Sequence, residues 1–282
     1  SIPNKLPFSV IISVFTLPFD NKYKESQISF CLKTNSFLGY WVHENVTSEK
    51  IKLLKDTAKI LYIAYLGITV LQTALLMLGG MDLFQALIHT FGTVGTGGFS
   101  TKNTSVGAFH SSYITLVIGI FMMLSGINFS LYYELYKKRF RHILQNIELR
   151  AYLSIILVST ILIAINIYSL YGSVFESFKH AFFQVSSIIT TTGYSSVNYD
   201  LWPSFSKAIL FFLMFVGGSA GSTGGAIKVI RIVILFMFVR REIKKLLHPR
   251  ALIPIQLNNK TLSGDVVAGV TGFFFLYMLL FA

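Results

Sequence analysis

The sequence has 282 residues, of which 53% are hydrophobic and only 13% charged, and its mean hydropathy is +0.63. A soluble domain carries about 25% charged residues, so this composition excludes a water-soluble globular protein and describes a membrane-embedded one. The formal net charge of +12 does not indicate nucleic acid as a partner. The Lys and Arg residues gather beside apolar segments, the bias of cytoplasmic membrane flanks, which leaves membrane lipid as the surrounding medium.

Residues 1–47 form an unassigned N-terminal segment. Within it Leu6–Phe19 is apolar but broken by Pro7 and Pro18, and it falls short of the ~20 residues a crossing helix needs. It has no basic leader and no small-residue cleavage site, so a signal peptide is not expected. The single cysteine, Cys31, excludes an intramolecular disulfide. The chain begins without Met, and a fragment is the expectation.

A first unit covers 48–145. Lys50, Lys52, Lys55 and Lys59 lead into Ile60–Leu78, an uncharged stretch that gives about 28 Å of helix at ~1.5 Å per residue, enough to cross. Gly79-Gly80-Met81-Asp82 breaks it. Leu83–Gly92 is half as long, at about 15 Å, the length of a pore helix. Its C-terminus aims the negative end of the helix dipole at the loop that follows. That loop is Thr93-Val94-Gly95-Thr96-Gly97-Gly98-Phe99-Ser100-Thr101. Ser111–Tyr133 is uncharged and reads as one full span, ending in Lys137, Lys138, Arg139, Arg141 and Arg150.

A second unit covers 146–250 and repeats the plan 95 residues on. Ala151–Phe175 is a span, Glu176–Ser187 the pore helix, and Thr190–Tyr194 the loop, a run of hydroxyls closed by Gly193. Asn198 ahead of Pro203 suits a helix start, and Trp202 suits a membrane interface. Ala208–Ile227 is uncharged but contains Gly217-Gly218-Ser219-Ala220-Gly221-Ser222-Thr223-Gly224-Gly225. Each glycine costs a helix about 1 kcal/mol against alanine, so this span should break in mid-membrane; the helix is expected to resume at Ala226. Lys228, Arg231, Arg240, Arg241, Lys244, Lys245 and Arg250 form the third basic cluster, with Pro249 and Pro254 ending the helix. Residues 251–282 are a linker and the start of a further crossing helix, Val266–Ala282.

Irregular polar backbone survives at membrane depth only inside protein or along a water-filled path. Carbonyl oxygens turned toward such a path can replace the water shell of a cation. Both loops, Thr93–Thr101 and Thr190–Tyr194, therefore read as re-entrant pore loops. The alternative is that their small residues serve close helix packing. The fold class is an all-α membrane protein built from repeated helix–pore-helix–helix units with re-entrant loops.

The tract Gly217–Gly225 reads as a hinge or intramembrane gate. A phosphate-binding loop is not expected, since a membrane span precedes it and the spacing Gly-x-x-x-x-Gly-Lys-Ser/Thr is absent. A packing kink is the remaining alternative. His89 and His180 stand at different distances from their loop glycines and read as partnered structural side chains; Asn128 and Asn166 read as interhelical hydrogen-bonders. No nucleophile–base pair, intramembrane carboxylate pair or metal-ligand spacing is present in the pattern, so neither an enzyme nor a cofactor is expected, the only metal being the transported ion.

The segments Phe91–Thr101, Ser186–Tyr194, Gly217–Arg231, Gly126–Tyr133 and His248-Pro249-Arg250 resemble the Trk/Ktr family of potassium-uptake transporters, in its TrkH-type membrane subunits. The resemblance covers roughly residues 50–282. It implies a potassium-channel-like architecture, four such units around one potassium path, of which this chain would supply two and begin a third. Filter roles would fall on Val94, Gly95, Thr96, Gly97 and Gly98, and on Thr190, Thr191, Thr192 and Gly193. Pairing Gly98-Phe99-Ser100 with Gly193-Tyr194-Ser195 makes Gly98, rather than Gly95, the filter glycine. The gate would fall on Gly217–Gly225. The resemblance also implies a homodimer in the inner membrane of a prokaryotic cell and a cytosolic nucleotide-binding regulatory subunit reached through the basic helix carrying Lys228 and Arg231. Two loops cannot encircle an ion, so this chain alone should not conduct. A non-conducting remnant, or a two-unit cation channel completed by a second copy, are the rival readings.

Overall fold

The computed structural model describes residues 48–248, 253–257 and 260–281. Leu6–Phe19, Cys31, Pro249, Arg250 and Ala282 lie outside the described residues. The chain divides into Ser1–Asp56 and Thr57–Ala282, and every contact that matters to the site lies within the latter.

The first unit comprises α1 (Ser48–Leu78), the half-length α2 (Leu83–Val94), α3 (Ser112–Ser125) and α4 (Phe129–Tyr136). A short α5 (Phe140–Gln145) leads to α6 (Ile147–Tyr171), the pore helix α7 (Val174–Ile189), α8 (Ser204–Leu213) and α9 (Val229–Leu247). A two-residue-per-strand hairpin, β1 (Gln256–Leu257) with β2 (Lys260–Thr261), precedes α10 (Gly264–Phe281). Both α6 and α10 are long and apolar enough to cross a membrane, and α3 with α4 passes the same criterion as a bent pair.

Helix starts are set by side chains that accept from otherwise orphaned backbone N–H groups. Asp82 accepts from Gln85 at α2, Ser111 from Ile114 at α3, Asn146 from Leu149 at α6 and Ser173 from Glu176 at α7. Each such cap stabilises its helix by about 1 kcal/mol. Apolar side chains divide between two cores. One gathers Tyr152, Ile163, Ile167, Val185, Ile189 and Leu210 between α6, α7 and α8. The other gathers Leu76, Ala86, Ile118 and Met122 in the first unit, together with Phe183 and Tyr194 from the second. The second unit thus completes the interior of the first.

Five expectations are corrected. Ser111–Tyr133 is not one straight span: the chain breaks between Ser125 and Phe129 and turns by 94°. At the break Gly126 lies so close to the Tyr152 hydroxyl that a Cβ there would sit 2.1 Å from it, while Asn128 accepts from Ser130 N at 2.9 Å and starts a new helix. Asn128 is therefore a cap rather than an interhelical bond; Asn166 does bond between helices, accepting from Ser206 Oγ at 2.7 Å. In the second unit the break is longer than the glycine tract: α8 stops at Leu213 and α9 resumes only at Val229, not at Ala226. Finally, Asn198 caps a 3-10 turn, Tyr199–Leu201, and α8 begins behind Pro203 with no side-chain cap. Trp202 is buried and donates to the Tyr171 hydroxyl at 3.2 Å, because the turn tucks the indole into the core instead of exposing it at an interface.

Candidate functional site: two loops and a glycine tract

Each pore helix ends by folding the next three N–H groups back onto its own last carbonyls. In the first loop Thr96 N donates to Thr93 O at 3.1 Å, and Gly97 N and Gly98 N donate to Gly92 O at 2.8 and 3.1 Å. In the second, Thr191 N donates to Ile188 O at 2.9 Å, and Thr192 N and Gly193 N donate to Ser187 O at 2.9 and 3.3 Å. The pattern is the same residue for residue. A trans peptide carries its C=O opposite its N–H. The carbonyls of Gly95, Thr96 and Gly97, and of Thr190, Thr191 and Thr192, therefore leave on the side away from the helix ends.

The backbone conformation repeats with the same register. Thr96 and Thr191 have φ of 50° and 58°, and Gly98 and Gly193 have φ of 66° and 85°. Glycine accepts the left-handed region freely. For a β-branched residue it is a true outlier, costing about 1–3 kcal/mol and persisting only where surroundings over-determine it. Gly98 is required twice over, since a Cβ there would fall 1.8 Å from Thr192 O in the neighbouring loop.

What over-determines the two threonines is the glycine tract. The Thr96 hydroxyl lies 2.8 Å from Gly95 O and 3.0 Å from Thr223 O. The Thr191 hydroxyl donates to Thr190 O at 2.6 Å and accepts from Gly225 N at 2.7 Å. Thr223 in turn sends its hydroxyl to Val94 O at 2.9 Å, with Ser125 O at 3.3 Å. The tract is thus bonded to both loops at once.

Its own shape is a closed bow. Gly217 N donates to Ile227 O at 2.8 Å, and Val229 N to Gly218 O at 3.2 Å. Along its rim Ser219 N donates to Gly126 O at 2.8 Å and Gly221 O accepts from Phe129 N at 3.1 Å, so the tract fills the break between α3 and α4. Ala220 N donates to Glu148 Oε1 at 2.6 Å, and the Lys228 ammonium donates to Gly224 O. Arg231 stacks on the Phe273 ring, 3.9 Å from its centroid, and joins α9 to α10.

Two histidines support the loops from behind. His89 bonds Gln85 O at 2.8 Å and Ser100 Oγ at 2.9 Å. His180 bonds Ser196 Oγ at 3.2 Å and lies 3.3 Å from the Glu176 carboxylate. No group of three or more metal-ligating side chains occurs among the described residues. Sequence reading missed Thr223 and Glu148 as partners of the loops and tract, since nothing in their local spacing signals contacts more than seventy residues away in the chain.

Comparison with known proteins places this geometry in a family. The sequence pattern of the family described as "TrkH: Cation transport protein" matches residues 42–282. The chain is 38% identical over 231 residues to the Trk system potassium uptake protein TrkH of Escherichia coli K12, covering 81% of this chain and 48% of that protein. It is also 38% identical over 232 residues to TrkG of the same organism, covering 80% and 47%. The crystal structure of the potassium transporter TrkH from Vibrio parahaemolyticus superposes with a TM-score of 0.78 at 36% identity, covering 84% of this chain and 51% of that one. The chain spans about half the length of the relatives it matches.

Proposed function

The chain belongs to the TrkH family of cation transport proteins, and from that premise we propose that it supplies two of the loops lining a potassium uptake path, with the tract Gly217–Gly225 as its gate. The observation that carries this reading is the common fate of the loop N–H groups. With three consecutive donors in each loop turned back onto a pore helix, and Gly95 O and Thr190 O taken up by the Thr96 and Thr191 hydroxyls, the carbonyls of Thr96, Gly97 and Thr191 are left for a dehydrated cation, and the helix C-termini add negative dipole ends behind them. Val94–Gly98 and Thr190–Gly193 are the filter segments, and the tract closes the path beneath them by bonding both. The further loops that surround the ion come from outside the described residues. On the family analogy the protein acts as a homodimer in the inner membrane, regulated by a cytosolic nucleotide-binding subunit acting through α9.

The test is complementation of a bacterium lacking potassium uptake with the full-length polypeptide, scored by growth on limiting potassium and by rubidium and sodium flux. Uptake favouring potassium and rubidium over sodium is expected. Equal sodium flux, or discrimination unaffected by bulky substitutions at Gly98 and Gly193 together, would remove the filter assignment.

A further inference from the structure

The turn between α3 and α4 leaves a surface that the ion path does not use. α4 stands at 94° to α3, so with α3 along the membrane normal α4 runs along the bilayer face. Its first turn is held inside, with Phe129 and Leu131 buried and Tyr132 donating to Leu124 O at 2.7 Å. From there outward the chain is exposed. Tyr136 is 84% and Leu144 72% accessible, with Phe140 between them also exposed. Lys137, Lys138, Arg139 and Arg141 alternate with these apolar side chains, and no carboxylate occurs between Glu134 and Glu148. Among the described residues none of these four cations makes an ion pair; Lys137 only caps the Tyr133 ring, 4.3 Å from its centroid.

We infer that the elbow α4–α5 is a binding surface for anionic phospholipid headgroups of the cytoplasmic leaflet. Large apolar side chains in mutual register with cations are the composition of a segment lying at the headgroup–acyl boundary, the rings below and the charges above. Four cations directly beside a crossing segment attract anionic lipid by short-range, salt-screened electrostatics. The charge pattern selects this occupant over an apolar protein face, which would leave the four cations desolvated without partners.

The full-length polypeptide is reconstituted in phosphatidylcholine vesicles containing spin-labelled phosphatidylglycerol or, separately, spin-labelled phosphatidylcholine, and the motionally restricted fraction of each is read by electron spin resonance. Phosphatidylglycerol should be favoured at least about five-fold at low salt and lose that preference as salt rises. The combined variant K137Q/K138Q/R139Q/R141Q should approach parity. The equal-charge control R240Q/R241Q/K244Q/K245Q on α9 should keep the preference. Parity in the unsubstituted protein, a preference insensitive to salt, or equal losses in both variants would overturn the inference. The salt titration needs no substitution, so the test survives a variant that fails to fold. All readouts are independent of ion flux, so failure here is separate from failure of the transport reading.

Discussion

The Tyr194 hydroxyl lies 2.9 Å from the carbonyl of Phe99, its counterpart one loop earlier in the repeat. Its ring is fully buried against Gly92 and stacks on His89 at 5.9 Å, while Phe99 itself is 77% exposed. The second loop is therefore the brace of the first. Replacing Tyr194 with Phe removes the bond and keeps the ring. We expect a loss of about 1 kcal/mol in stability and weaker discrimination of potassium from sodium at nearly unchanged total uptake. Thermal unfolding in detergent and paired flux assays measure both.

The two loop glycines should not be equally sensitive. Both have positive φ, so alanine at either position incurs about 1–2 kcal/mol of backbone strain. Nothing lies within 4 Å of a Cβ at Gly193, whereas at Gly98 it would meet Thr192 O at 1.8 Å. G98A should abolish selective uptake, and G193A should retain a measurable part of it. Indistinguishable effects in the same flux assay would contradict the close approach of the loops.

Thr223 holds the tract to the first unit through Val94 O and Ser125 O. T223V keeps the shape and removes the hydroxyl donor, a change of about 1–3 kcal/mol for carbonyls left without it. The tract should be released more readily, raising maximal uptake several-fold with little change in apparent affinity. A lower maximal rate would mean that the tract supports the path instead of closing it.

Lys179 is a buried ammonium that joins the two units. It bonds Glu176 at 2.5 Å and, across to α3, Ser112 at 2.9 Å. E176Q strips its counter-charge and should destabilise the protein by roughly 1–3 kcal/mol, less than for a fully buried pair because the carboxylate is partly solvated. The double variant E176Q/K179M should recover most of that loss. A thermal-shift double-mutant cycle reports the coupling directly.

Much of this arrangement was legible because hydrophobic length and glycine placement are local. Half-length Leu83–Gly92 announced a pore helix, although the helix runs on through Thr93 and Val94 and the loop starts only at Gly95, and the Gly98–Gly193 register showed in the residue that follows each. The bend at Gly126 was not legible, because one glycine in an apolar run is ordinarily tolerated; it bends where Tyr152, from another helix, crowds it. Trp202 misled for the same reason: an indole suits an interface or a core, and only the turn at Tyr199–Leu201 decides. The bonds from Thr223 and Gly225 to the loops are long-range, and spacing along the chain carries no trace of them.

Because Phe183 and Tyr194 fill the interior of the first unit, that unit cannot finish folding when it leaves the ribosome. Phe99 is made 95 residues before its brace, a delay of roughly 5–20 s at about 5–20 residues per second. Throughout that interval the newly inserted first unit carries an open socket over Gly92. A stalled translation between the two should expose this nascent intermediate to membrane proteases.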